Sequence, residues 1–183
     1  MVKILIGVVG VVLVLAVFVA SRPSTFRVER SVVIAAPAER VFLPVSDFRA
    51  WPSWSPYEKK DPQMQRTYGA TTSGAGATYA WAGNNQVGEG RMTILKSDAP
   101  SVISIQLEFL KPFAATNTAT FTFVPTAQGT RATWAMDGKS TFMTKAIGLV
   151  MDMDKMIGTD FEQGLASLKT LAETASNATA RAD

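Results

Sequence analysis

Neither cysteine nor histidine occurs anywhere in the 183 residues. Without cysteine there is no disulfide, no thiolate nucleophile and no Cys-ligated metal, and the redox compartment stays undetermined. Without histidine, Ser–His and Cys–His catalysis and His-based zinc sites are excluded outright, and the side chain best suited to proton transfer near neutral pH is gone. A basic stripe is missing too. The formal charge is only +3, and Lys and Arg are scattered among acids, as in Glu58-Lys59-Lys60-Asp61, which argues against a nucleic-acid partner. No internal repeat appears. Gly74-x-Gly76 leads into a strand rather than opening a helix, so a nucleotide-binding reading fails on context and no cofactor is implied.

Charge is absent over one long run. From Ile4 to Ala20 there are seventeen residues without a charged or strongly polar side chain, the lower end of what a helix needs to cross the hydrocarbon core. We read residues 1–21 as a single-pass membrane anchor and 22–25 as a short linker that holds the following domain near the bilayer. A cleaved signal peptide is the rival reading. Its apolar region would normally be shorter, and cleavage after Ala20 would put bulky Phe18 where a small residue is preferred; cleavage after Ser21 puts Val19 there. Lys3 flanks one end and Arg22, Arg27 and Arg30 the other, so the side on which the domain lies is undetermined.

Over the whole chain 47% of residues are apolar, enough, beyond the anchor, for one domain of residues 26–174 with a real core, followed by a flexible polar tail, 175–183. From about Lys145 to Thr174, Ile147, Val150, Met153, Ile157, Phe161, Leu165, Leu168 and Leu171 recur at steps of three or four, the stripe of one long helix. Such a helix must lay that stripe on something, and the preceding chain supplies strands. Phe26 to Ile34 alternates, with Arg30 on the apolar face as a bulge, an exposed strand end or a buried charge needing an acidic partner. Ala36 to Phe42 reads as a short helix stopped by Pro44, and Asp47 as the cap of a second. Thr78 to Trp81 and Gly88 to Leu95 read as a hairpin across Gly83-Asn84-Asn85. Ile103, Ile105, Leu107 and Phe109 alternate with polar residues, as do Ala119, Phe121 and Phe123, then Ala132, Trp134 and Met136. Hairpin-length connections predict antiparallel neighbours.

Between Asp47 and Tyr57 the chain is dense in aromatics and proline, which makes a rigid apolar wall from Trp51 and Trp54 or plugs one end of the core with them. Ala35-Ala36-Pro37-Ala38-Glu39-Arg40-Val41-Phe42 after the first strand, Asp47-x-x-x-Trp51-Pro52-x-Trp54-Ser55-Pro56, the runs Gly74 to Asn84 and Val87 to Met92, and the closing Met153-Asp154-Lys155-Met156-Ile157-Gly158 to Gly164-Leu165 together carry a resemblance. They look like the START-like (SRPBCC) superfamily, in its polyketide cyclase/dehydrase and lipid-transport branch, over the whole chain after about Thr25. The resemblance implies an α+β helix-grip fold, in which a seven-stranded antiparallel sheet wraps a long carboxy-terminal helix and encloses a ligand cavity.

Gly148, Gly158 and Gly164 each cost a helix about 1 kcal/mol relative to alanine, so close packing, a break near Gly148 or room for a ligand must account for them. Met151, Met153 and Met156 add adaptable apolar surface. Glu89, between Gly88 and Gly90, or Arg91 beside it, is a candidate to enter the pocket. Asp152, Asp154, Asp160 and Glu162 spread around the helix as a charged outer face, so no metal is expected. Three functions follow. The first is a membrane-tethered module binding a hydrophobic or amphipathic small molecule, a lipid among them, in a cavity lined by Trp51, Trp54, Trp81, Glu89, Phe109, Phe121, Trp134, Met153, Ile157 and Phe161. The second is a membrane-proximal protein-interaction module with a filled core. The third is a cyclase/dehydratase-type enzyme with Glu89 as base and Arg91 or Tyr79 steadying an enolate.

Overall fold

The computed structural model describes residues 2–149 and 152–180, with side chains at positions 7, 10, 13–142, 144–149 and 152–176. The stripe position Val150 and the soft surface at Met151 lie outside the described residues. Residues Val2–Ser21 form α1. Among the described residues, no helix is long and apolar enough to cross a membrane; the side chains at positions 1–6, 8, 9, 11 and 12 lie outside them.

Alternating apolar residues give strands β1 (Thr25–Ile34), β2 (Gln65–Tyr68), β3 (Thr78–Ala82), β4 (Glu89–Asp98), β5 (Val102–Lys111), β6 (Ala115–Thr126) and β7 (Gly129–Lys139). They build one antiparallel sheet in the order β1-β7-β6-β5-β4-β3-β2. From β2 to β7 each strand pairs with the next in the chain, and β1 pairs with β7, which leaves β1 and β2 at the two edges. The register stacks the inner-face residues in rows. Counting from the end at which β1 begins, the first row is Trp81, Gly90 and Phe109, and the second is Phe26, Gly138, Asn117, Leu107, Met92 and Tyr79. Val28, Met136, Ala119, Ile105 and Ile94 make the third, and Arg30, Trp134, Phe121 and Ile103 the fourth.

The connection from β1 to β2 lies over this face. It holds α2 (Ala38–Ser46), a 3₁₀ turn at Phe48–Ser53 and α3 (Pro56–Lys60). Pro44 sits inside α2 rather than ending it. Tertiary packing overrides the lost hydrogen bond there, because Val41, Phe42 and Val45 are all buried and each contributes about 1.5–3 kcal/mol on burial. Asp47 caps the 3₁₀ turn, its carboxylate accepting from the Arg49 amide at 2.9 Å.

The stretch expected as one helix from Lys145 to Thr174 is two. α4 (Phe142–Ile147) ends on Gly148 as its C-cap, and α5 (Met153–Ala180) starts afresh, with the Asp152 carboxylate accepting from the Lys155 amide at 2.9 Å. α5 continues past Thr174, the end expected from the sequence. It rides along β1 in the same direction: Arg30 meets Asp154 and Glu162, Lys169 Nζ donates to the Val33 carbonyl at 2.7 Å, and Glu173 accepts from the Ala35 amide at 2.8 Å. The result is α+β, a seven-stranded antiparallel sheet with a carboxy-terminal helix packed on it, consistent with a helix grip.

Candidate functional site

The middle of the interior is solid. Trp134 stacks on Phe161 with ring centroids 4.1 Å apart and lies 4.8 Å from Phe121 and 5.7 Å from Trp54, while Trp51 lies 4.9 Å from Trp54. All five rings are buried. Five of the ten residues expected to line a cavity are therefore brought together, but against one another.

Close packing also accounts for two of the three helix glycines. A Cβ on Gly164 would meet Trp134 Cζ3 at 2.8 Å and Pro56 Cδ at 2.9 Å, and one on Gly158 would run into the Arg30 guanidinium. Gly148 marks the break instead. Arg30 is neither a bulge nor a free strand end. Its Nη2 donates to Asp154 Oδ2 at 2.9 Å and its Nε to Glu162 Oε1 at 2.8 Å. Asp154, Gly158 and Glu162 are four apart, so they share one helix face, and the bare glycine lets the guanidinium sit between the two acids. The charged face expected to point outward thus partly turns onto β1. The bond to Arg30 holds the Asp154 carboxyl below its ordinary range.

The expected catalytic pair is not in the interior. Glu89 and Arg91 are two apart on β4 and share its outer face, while Gly90 and Met92 between and beyond them are buried. Glu89 Oε1 accepts from Lys111 Nζ at 2.7 Å, and exposed Arg91 pairs with Glu108 at 2.5 Å. Neither the base nor the guanidinium of the enzyme reading reaches a pocket. Tyr79 does face inward, but it is engaged. Its hydroxyl donates to Glu58 Oε1 at 2.9 Å, and Glu58 Oε2 accepts from Arg66 Nε at 2.7 Å. Burial, then the neighbouring Glu58 charge, push the Tyr79 phenol far above its ordinary value, so it stays a neutral donor. This buried carboxylate was hidden in a run that reads as solvated charge, because its partners lie 8 and 21 positions away.

Open apolar surface lies at the end where β1 begins. The first turn of α5 comes level with Arg30, so the rows nearer the start of β1 lie past the end of the helix. There Phe26, Trp81, Leu107 and Phe109 point to the inner face yet are only half-buried, as are Met153 and Ile157 at the head of α5. Cβ atoms on Gly138 and Gly90 would run into the Phe26 and Trp81 rings respectively. The two rings therefore lie across the glycines, close against the sheet. Asn117, 8% exposed, puts an amide into the same row. Four of the ten expected lining residues, Trp81, Phe109, Met153 and Ile157, gather here. Phe26, Leu107 and Asn117 were missed as site residues, although the alternation of their strands put the first two on the core face.

A separate shallow cleft of about 570 Å³ lies at the opposite end of the sheet, lined by Pro37, Glu39, Pro100, Pro125 and Gln128 among others. Among the described residues no group of three Asp or Glu side chains is placed to hold a metal ion.

Residues 25–173 match the model of the family described as polyketide cyclase / dehydrase and lipid transport. No curated protein matches the sequence. Similar solved structures include protein CV1439 from Chromobacterium violaceum, at 19% identity over 82% of this chain and 99% of that one, with a TM-score of 0.57. Protein SA2116 of unknown function from Staphylococcus aureus is 11% identical over 84% and 96% of the two chains, with a TM-score of 0.61. The di-domain ARO/CYC StfQ from the steffimycin biosynthetic pathway is 10% identical over 84% of this chain and 52% of its own, with a TM-score of 0.62. At these identities the likeness is one of fold alone.

Proposed function

This chain belongs to the polyketide cyclase/dehydrase and lipid transport family, and from that premise we propose that it is a membrane-tethered binding module for a hydrophobic or amphipathic small molecule, a lipid among the candidates. The observation that carries this reading is the helix-free end of the inner face, where Phe26, Trp81, Leu107, Phe109 and Ile157 are half-buried and face inward. Apolar side chains on a core face normally lose nearly all their exposure; a group of them left part-open is what a ligand would cover. The Asn117 amide at that end, whose Nδ2 donates to the weak acceptor Met136 Sδ at 3.7 Å, supplies a polar contact, which favours a molecule with at least one acceptor. The tether rests on the charge-free run Ile4 to Ala20, which lies within helix α1.

A filled-core interaction module is the second reading, favoured by the packed cluster of Trp51, Trp54, Phe121, Trp134 and Phe161. Native mass spectrometry and organic extraction of the detergent-purified full chain separate the two. The expected result is a co-purifying apolar molecule that is lost in Leu107→Trp, a variant that fills the open end, at unchanged melting temperature. An empty wild type alongside a stable Leu107→Trp would favour the interaction module.

A further inference from the structure

Antiparallel pairing puts particular chain ends side by side. The end of the sheet at which β1 starts, directly after α1 and a linker of three residues, also carries the end of β7, the β5–β6 loop and the start of β4. Three residues reach about 10 Å at most, so this end cannot lie far from Ser21. α4 is closer still: Lys145 Nζ donates to the Ala20 carbonyl at 3.3 Å, and Val19 is only 5% exposed. At this same end large apolar side chains stand in the open. Leu110 near the end of β5 and Phe113 of the β5–β6 loop are 56% and 67% exposed, and Phe142 of α4 and Leu149 just after it are 55% and 40% exposed. Cations accompany them at Arg22, Lys139 and Lys145, whereas the nearby acids are engaged: Glu89 with Lys111, Asp152 with the start of α5, and Asp154 with Arg30.

We propose that Leu110, Phe113, Phe142 and Leu149 form a rim that seats in the interfacial layer of the bilayer anchored by α1. The open end of the grip is thereby held against the lipid, and a ligand moves between leaflet and inner face without crossing water. This inference rests on the membrane reading of α1. The occupant is a lipid surface with anionic headgroups rather than a protein, because the rim is continuous with α1 through α4 and combines apolar tips with cations, the pairing that interfacial segments use.

The absence of native cysteine makes single-site labelling clean. Leu13→Cys, Phe113→Cys, Phe142→Cys and Val124→Cys, each in the full chain and carrying an environment-sensitive fluorophore, are placed in vesicles of mixed phosphatidylcholine and phosphatidylglycerol with nitroxide-bearing lipids. Emission from positions 113 and 142 should fall by about half or more, as for side chains seated about 5–10 Å into the headgroup region, while Val124→Cys at the far end of β6 stays bright. If position 13 is quenched and 113 and 142 are as bright as 124, the rim is not on the membrane, whatever co-purifies with the protein. If position 13 is itself bright, the anchor fails and the inference falls with it. Binding of an apolar molecule is read separately by extraction, so loss of the rim and loss of the binding reading give different results.

Discussion

Three of the four tryptophans give their indole N–H to a backbone carbonyl: Trp51 to Val45 at 3.1 Å, Trp54 to Pro44 at 3.1 Å and Trp81 to Val87 at 2.9 Å. Trp134, 3% exposed, has no such partner. An unpaired buried donor costs about 1–3 kcal/mol, so removing it offsets much of the packing lost when the ring shrinks. Trp134→Phe is expected to melt close to wild type in thermal unfolding, because the smaller ring stays within the packed cluster. A large fall in melting temperature would mean that the indole N–H is satisfied in the folded protein. The Glu58 site behaves oppositely, since its members satisfy one another. Tyr79→Phe removes one hydrogen bond and should cost about 0.5–1.5 kcal/mol. Glu58→Ala strands both the Arg66 guanidinium and the Tyr79 hydroxyl and should cost about 3–5 kcal/mol. Urea unfolding of the two variants checks the order, and equal losses would mean that Arg66 finds another partner.

At the scale of elements, periodicity told most of the story wherever a face is uniformly apolar. β5, β6 and β7 alternate as Ile103–Ile105, Ala119–Phe121 and Ala132–Trp134 imply, and these six residues are buried. The break at Gly148 and the passage of α2 through Pro44 were harder to read, because both are decided by packing across the chain rather than by local preference. Arg30 was harder again. Its acids lie 124 and 132 positions away, and a carboxylate on a helix reads as solvated until the neighbouring strand is known. That pair has a pH signature. The Asp154 pKa is depressed below its ordinary 3.8 chiefly by the hydrogen bond from Arg30, so its contribution is full above the unfolded value and disappears as pH falls through the folded one. Arg30→Met should therefore flatten the loss of melting temperature between about pH 4 and pH 2. The slope that remains belongs to Glu108 and Glu173, which Arg91 and Lys169 also hold low. An unaltered slope would mean that the ion pair is lost to solvent screening.

The molecule as a whole divides at Arg22. The core, from Val28 through Phe121 and Trp134 to Leu168 and Ala172, is drawn from residues after the linker, and among the described residues α1 meets α4 at Ala20, whose carbonyl accepts from Lys145. The open end was only half legible in the sequence for the same reason: strand alternation says which side chains face inward, but not where α5 begins along β1 or what else covers the face beyond it. A chain beginning at Arg22 keeps every row of the sheet and the whole packed cluster. Its unfolding free energy should therefore match the full chain within about 0.5 kcal/mol, the usual effect of changes remote from a core. On the tether reading the full chain sediments with vesicles and this one does not, because the exposed rim offers only a few side chains against the seventeen-residue run from Ile4 to Ala20. If the truncated chain binds vesicles as tightly as the full one, the rim rather than α1 is the principal attachment. If it loses several kcal/mol instead, α1 packs on the domain as part of its core, and the tether reading gives way to a structural one.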